Sequence, residues 1–218
     1  MVMKRNYFVF LQALLLTVVV FIIGFYIGMS VEAKRTVEIN DYYTQSEISL
    51  VDILALNNLV GSGVVSCSEL TESNKELLNR LYDEARTLIQ YEDSGKLTNS
   101  LKILHKKYDV LRTYLWINSI QIKEECGEKF STIVYLYEYN QKDLVEKAKQ
   151  SVWSKLLLEI KNENEDVLLI PIAMDSNLSS LNSLLRNYGI EGSLAVIVNE
   201  ETIFYEIPEK KEIIDLLK

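Results

Sequence analysis

The chain has 218 residues, 48% of them hydrophobic and 25% charged, with a formal charge of −8 and a pI near 4.9. This composition describes one or two folded domains and excludes a disordered tail, while 31 acids against 23 bases exclude a polyanion-binding surface, so no nucleic acid partner is expected. One histidine and two cysteines are too few soft ligands for a zinc or iron–sulfur centre and too few general bases for most nucleophilic catalysis, so no metal, cofactor or catalytic residue is expected.

After a short tail at 1–6, residues 7–29 are apolar apart from Gln12 and Thr17. A helix of that length rises roughly 34 Å and crosses a hydrocarbon core of about 30 Å. Val31 and Ala33 have the small-residue spacing of a signal-peptidase site after Ala33, but a signal h-region is much shorter, so an uncleaved transmembrane anchor is expected. Lys4 and Arg5 before the span balance Lys34 and Arg35 after it, and orientation is left to other signals. Gly24 and Gly28 form a GxxxG step, a face on which two anchors would pack as a homodimer.

Residues 30–45 are polar and read as a juxtamembrane linker, opening a helical region at 46–127. Ile48, Val51, Leu54 and Leu59 give a short amphipathic helix, which Gly61, Ser62 and Gly63 break. A second helix, from Leu70 to about Glu92, carries Leu77, Leu78, Leu81, Tyr82, Ala85, Leu88 and Ile89; Ser73 and Glu76 can form a capping box, so its regular part is expected to begin there or one turn earlier. Asp93, Ser94 and Gly95 make a turn. Leu97, Leu101, Leu104, Tyr108, Leu111 and Leu115 then recur in steps of four and three, continued by Asn118 and Ile122 and stopped by Gly127. The pattern reads as an antiparallel helical hairpin, either a packed core or an intermolecular coiled-coil seam. His105, beside Lys106 and Lys107 and off the stripe, is expected to be solvated and without a chemical role.

Folding at Ser94 brings Cys67 and Cys126 to the open end of this hairpin, which makes a disulfide geometrically reasonable. A bridge would place the domain in an oxidising space and so put the N-terminus in the cytoplasm; the alternative is two reduced, buried cysteines in a cytoplasmic domain.

Beyond residue 129 the periodicity changes. The expected elements are a strand at 131–139, a helix at 143–162, an apolar strand at 166–173, a helix at 178–188 ended by Gly189, strands at 194–199 and 202–207 joined through Glu200 and Glu201, and a final helix at 209–218. Tyr135, Tyr137 and Tyr139 alternate on the first strand, read as packing residues or as a recognition surface. Glu163, Glu165 and Asp166 read as a solvated loop.

The order β-α-β-α-β-β-α, together with Tyr188, Gly189, Ile190, Glu191 and Gly192 leading into Leu194–Val198, and with Asp175 after the second strand, resembles the minimal thioredoxin fold over 129–218. That resemblance implies a redox CxxC at the start of the first helix and a cis-proline before the third strand. Here the corresponding places hold Asn140, Gln141, Lys142 and Asp143, and Ser193 followed by Leu194. With no thiolate there is no attacking nucleophile.

The sequence therefore predicts an α+β or α/β chain with three parts: an N-terminal transmembrane helix, an antiparallel helical hairpin acting as a spacer, and a thioredoxin-like βαβαββα domain. The expected function is a redox-inactive scaffold or protein-binding module at the cell membrane, anchored in lipid through residues 7–29, with the N-terminus cytoplasmic, the C-terminal domains outside and an unidentified protein partner. One alternative is a divergent thiol–disulfide oxidoreductase using Cys67 and Cys126; a second is a coiled-coil structural oligomer.

Overall fold

The computed structural model describes residues 3–60, 66–93, 99–127, 130–164 and 166–217, and the chain divides into two compact units between Gln45 and Ser46. Residues 3–45 of helix α1 (Met3–Val60) make up the described part of the first unit, and residues 46–60 of the helix belong to the second. The stretch Tyr7–Lys34 reaches a mean hydropathy of 2.7, is not buried by any other part of the chain, and is long and apolar enough to cross a membrane. Thr17 fits this stretch because its hydroxyl donates to the Ala13 carbonyl at 2.9 Å, which pairs its own polar hydrogen within the helix. The polar residues 30–45, read as a linker, are helical, as is the segment read as a separate helix from Ser46. No glycine or proline lies between Met29 and Gly61, so nothing in the sequence stops the helix there.

In the second unit α2 (Cys67–Asp93) and α3 (Asn99–Cys126) pack on each other. The cap of α2 lies further upstream than the sequence pattern suggested. Ser66 Oγ accepts from the Glu69 N–H at 3.3 Å and Glu69 Oε2 accepts from the Ser66 N–H at 2.9 Å, a reciprocal capping box, whereas Ser73 and Glu76 lie inside the helix. Those hydrogen bonds hold the exposed Glu69 carboxyl below its ordinary range. The hairpin core is Leu70, Leu77, Leu78 and Leu81 with Tyr108, Leu111, Leu115 and Ile122, all fully buried. One layer is polar: Asn118 Nδ2 donates to Asn74 Oδ1 at 3.0 Å, and Asn74 Nδ2 donates to Ser119 Oγ at 3.2 Å. Gly61–Gly63, Ser94, Gly95 and Leu97 lie outside the described residues.

The sheet has the order β2-β1-β3-β4: β1 (Ser131–Tyr137) is parallel to β2 (Val167–Ala173) and antiparallel to β3 (Ala195–Val198), which pairs antiparallel with β4 (Thr202–Phe204). The β1–β2 connection needs a crossover, supplied by α4 (Leu144–Glu163). Alternate residues of the strands fill two faces. Ile133, Tyr135, Val167, Leu169, Val196 and Val198 pack with Trp153, Leu157 and Ile160 of α4 and with Ile213 of α6 (Lys210–Asp215). Val134, Leu136, Ile170, Ile172 and Ile197 are equally buried and point the other way, and α2 and α3 pack against β2. The hairpin is therefore not a spacer; it belongs to the same compact unit as the sheet.

Helix α5 (Ser179–Asn187) ends as expected at Gly189, whose φ of 63° allows the Ile190 N–H to reach the Leu185 carbonyl at 2.9 Å. The β3–β4 turn sits one residue earlier than Glu200–Glu201. Asn199 and Glu200 take φ of 51° and 61°, and the Glu201 N–H closes on the Val198 carbonyl. Asn tolerates the left-handed region, and here its side chain also accepts from the Thr132 N–H at 2.9 Å and donates to the Leu216 carbonyl at 2.7 Å.

Candidate functional site

The residues singled out from the thioredoxin resemblance come together at one end of the sheet. Asn140, Gln141, Lys142 and Asp143 follow the last residue of β1, and the pairing of Leu136 with Ala195 puts Ser193 and Leu194 at the same end. Their chemistry is structural. Asp143 is the N-cap of α4, its Oδ1 accepting from the Val145 and Glu146 N–H groups at 2.8 and 3.2 Å. The helix N-terminus is thus already occupied by a carboxylate of the chain itself. Gln141 accepts from the Asp143 N–H and donates to Glu138, tying the loop down. Leu194 is buried in the core, and no described peptide bond is cis.

Asp175 holds this loop from the β2 side. Its two oxygens accept from the N–H groups of Tyr139 at 2.8 Å and Asn140 at 3.0 Å. Beside it, facing the hairpin, is a cleft of about 170 Å³ whose lining includes Lys102, His105 and Lys106 from α3, Tyr139 and Asn140 from the loop, and Ser176 after β2.

His105 corrects the expectation of a solvated residue: only 8% of it is exposed. Its Nδ1 lies 3.2 Å from Asp109 Oδ2, its Nε2 lies 3.2 Å from the Tyr137 hydroxyl, and its ring stands 3.9 Å from that of Tyr139. Asp109 is fully buried; its Oδ1 accepts from the Ala173 N–H at 3.1 Å and lies 3.9 Å from the buried Arg112 guanidinium. His105, Asp109, Arg112 and Trp116 form a second stripe on α3, at steps of four, three and four, which packs toward β2 while the leucine stripe meets α2. Composition hid it, because three of the four are polar; the helical spacing was present in the sequence. The tyrosines of β1 follow the packing reading. The Tyr135 hydroxyl donates to the Gln150 carbonyl, and burial pushes that phenol well above its ordinary range.

Cys67 and Cys126 face each other at disulfide distance, with Cα atoms 5.6 Å apart. They lie at the opposite end of the sheet, where Lys123, one helical turn before Cys126, donates to Thr132 and Glu200 at 2.8 Å. The length of β1, about 20 Å, separates them from the 140–143 loop. Gly24 and Gly28 lie in the other unit, on α1, with open space around each.

Comparison of the chain with protein-family models, with curated proteins and with solved structures finds no match in any of the three.

Proposed function

We propose that the protein is a single-pass membrane protein whose C-terminal part is a redox-inactive, thioredoxin-like binding module for a polypeptide partner at the cell envelope. The observation that carries this reading is the cap at Asp143. The order of elements from β1 to α6 is that on which the thioredoxin resemblance rests, yet the β1–α4 junction holds no thiol, and the helix N-terminus that would stabilise a thiolate is taken by a side-chain carboxylate. A fold that lacks its nucleophile keeps its surface, and function then rests with what the surface binds.

Anchoring is supported by the apolar stretch Tyr7–Lys34, and the extracytoplasmic side by the disulfide-distance pair Cys67 and Cys126, since such bridges persist in oxidising compartments. The oxidoreductase alternative is disfavoured by the separation of this pair from the loop at 140–143, and the coiled-coil alternative by burial of the α3 leucines within the chain's own hairpin.

The test is a photo-crosslinking residue placed at Asn140 in the full chain in intact cells, with Ser154, exposed on α4, as the comparison. A discrete polypeptide adduct at position 140 and none at 154 supports the reading. No adduct at 140, or turnover of a disulfide substrate by the purified chain, overturns it.

A further inference from the structure

The segment between β2 and α5 departs from what helix capping asks of it. Helix α5 opens with Leu178 at its N-cap, which supplies no side-chain hydrogen bond to the first turn. Leucine is among the poorest residues for that position and serine among the best. A serine follows at once, but Ser179 comes one residue too late to cap, and its hydroxyl makes no hydrogen bond among the described residues. Two residues before it, Asn177 is exposed at a φ of 54°, a left-handed position that asparagine tolerates. Its carboxamide is also free among the described residues, whereas those of Asn74, Asn118, Asn140, Asn164 and Asn199 are all committed to hydrogen bonds. The turn accounts for asparagine at 177. Capping alone would be served better by the opposite order of Leu178 and Ser179.

We propose that Asn177 is the acceptor for an N-linked oligosaccharide. With Leu178 and Ser179 it forms the acceptor triplet Asn-X-Ser, X being other than proline, and no other triplet of this kind occurs in the chain. The order that capping disfavours is the order that the triplet requires. The donor is an oligosaccharide carried on a polyprenyl phosphate or pyrophosphate. Asn177 Nδ2 bonds to the anomeric carbon, the bond from that carbon to the phosphate oxygen breaks, the lipid phosphate leaves with the electron pair, and one amide proton passes to a base of the transferase. Transfer needs the carboxamide and the serine hydroxyl to be reached together; both residues are exposed, and neither group is tied to the rest of the chain. Acceptors of this kind belong to secreted and outward-facing chains, so the site rests on the extracytoplasmic reading of the residues beyond the anchor. Cys67 and Cys126, which support that reading, lie in the same compact unit as Asn177.

The full chain is translated into endoplasmic-reticulum microsomes, which supply both the transferase and the lipid-linked oligosaccharide. It is compared with Asn177→Gln, Ser179→Ala, Ser179→Thr and Asn177→Gln/Lys142→Thr, the last of which moves the triplet to the exposed Asn140. Every substituted side chain is exposed, so the variants fold. The expected result is a single glycan on the unsubstituted chain, on Ser179→Thr and on the relocated form, removed by a glycosidase, and none on Asn177→Gln or Ser179→Ala. The chain isolated from its own membranes is expected to carry sugar mass on the peptide that contains Asn177. Modification of the relocated form without modification of the unsubstituted chain overturns the acceptor site and leaves the orientation standing. Modification of neither overturns the extracytoplasmic reading, and the site with it. A bare Asn177 peptide from the native membranes overturns the site whatever the microsomes show.

Discussion

The hydroxyl of Tyr82 donates to the carbonyl of Leu169 at 2.7 Å, joining α2 to the outer edge of β2. An edge strand exposes every second carbonyl to whatever lies beside it, and here a helix lies there instead of water. One side-chain bond therefore both satisfies the edge and fixes the hairpin on the sheet. Burial pushes the Tyr82 phenol well above its ordinary range.

Tyr82→Phe removes the donor and little else, and is expected to cost about 1–3 kcal/mol, the desolvation of an unpaired carbonyl. Thermal unfolding of the full chain in detergent measures it. A melting temperature equal to that of the unsubstituted protein would show that water reaches the edge and that the hairpin is held by its apolar contacts alone.

Tyr82 and Tyr135 share a consequence at high pH. Each phenol is raised on folding, so its contribution to stability is complete below the ordinary tyrosine value of about 10 and is lost as pH rises above it. Ultraviolet titration is expected to show a fraction of tyrosines that ionises only as the structure is lost. Tyr82→Phe and Tyr135→Phe should each shrink that fraction, and a single early transition of all tyrosines would contradict the burial of both.

The Asn74–Asn118 layer makes the hairpin specific more than stable. Asn118→Ala strands Asn74 Oδ1 in a fully buried position, an expected loss of about 1–3 kcal/mol, whereas Asn74→Leu/Asn118→Leu removes both partners and is expected to be near neutral. Chemical denaturation of the three proteins distinguishes these cases. A double variant less stable than the single would mean that the layer contributes net stability through further partners.

Asp109 is the residue whose loss should be felt most widely. It faces His105, Arg112 and the Ala173 N–H from a fully buried position, and Asp109→Ala leaves a buried guanidinium without its counter-charge. The expected cost is about 3–5 kcal/mol, and less for Asp109→Asn, which retains an acceptor for the backbone. Equal denaturation midpoints for the two variants would show that charge plays no part.

The sequence exposed the order of elements from β1 to α6 clearly, because strands such as Val167–Ala173 are continuous apolar runs and the helices carry their own stop signals, Gly127 and Gly189. It concealed two things. A polar residue on a helix reads as solvated until its partner is known, so His105 looked like surface, Asp109 and Arg112 gave no signal, and the packing of α3 on the sheet went unseen. Turn position was also ambiguous, since two glutamates follow Asn199 and only the left-handed tolerance of Asn decides between registers. The cleft follows from the first of these: it exists only because α3 crosses the end of β1 and β2, a long-range placement that no local pattern encodes.

Closing the hairpin covalently should matter for stability. Cys67 and Cys126 are separated by 59 residues, and a bridge across that loop is expected to contribute about 4 kcal/mol through the entropy of the unfolded chain. For a unit of this size that corresponds to a fall in melting temperature of roughly 8–16 °C on reduction or in Cys67→Ser/Cys126→Ser. The measurement is a pair of melts, with and without reductant, on the full chain in detergent. Equal melts would show that the two thiols are not bridged.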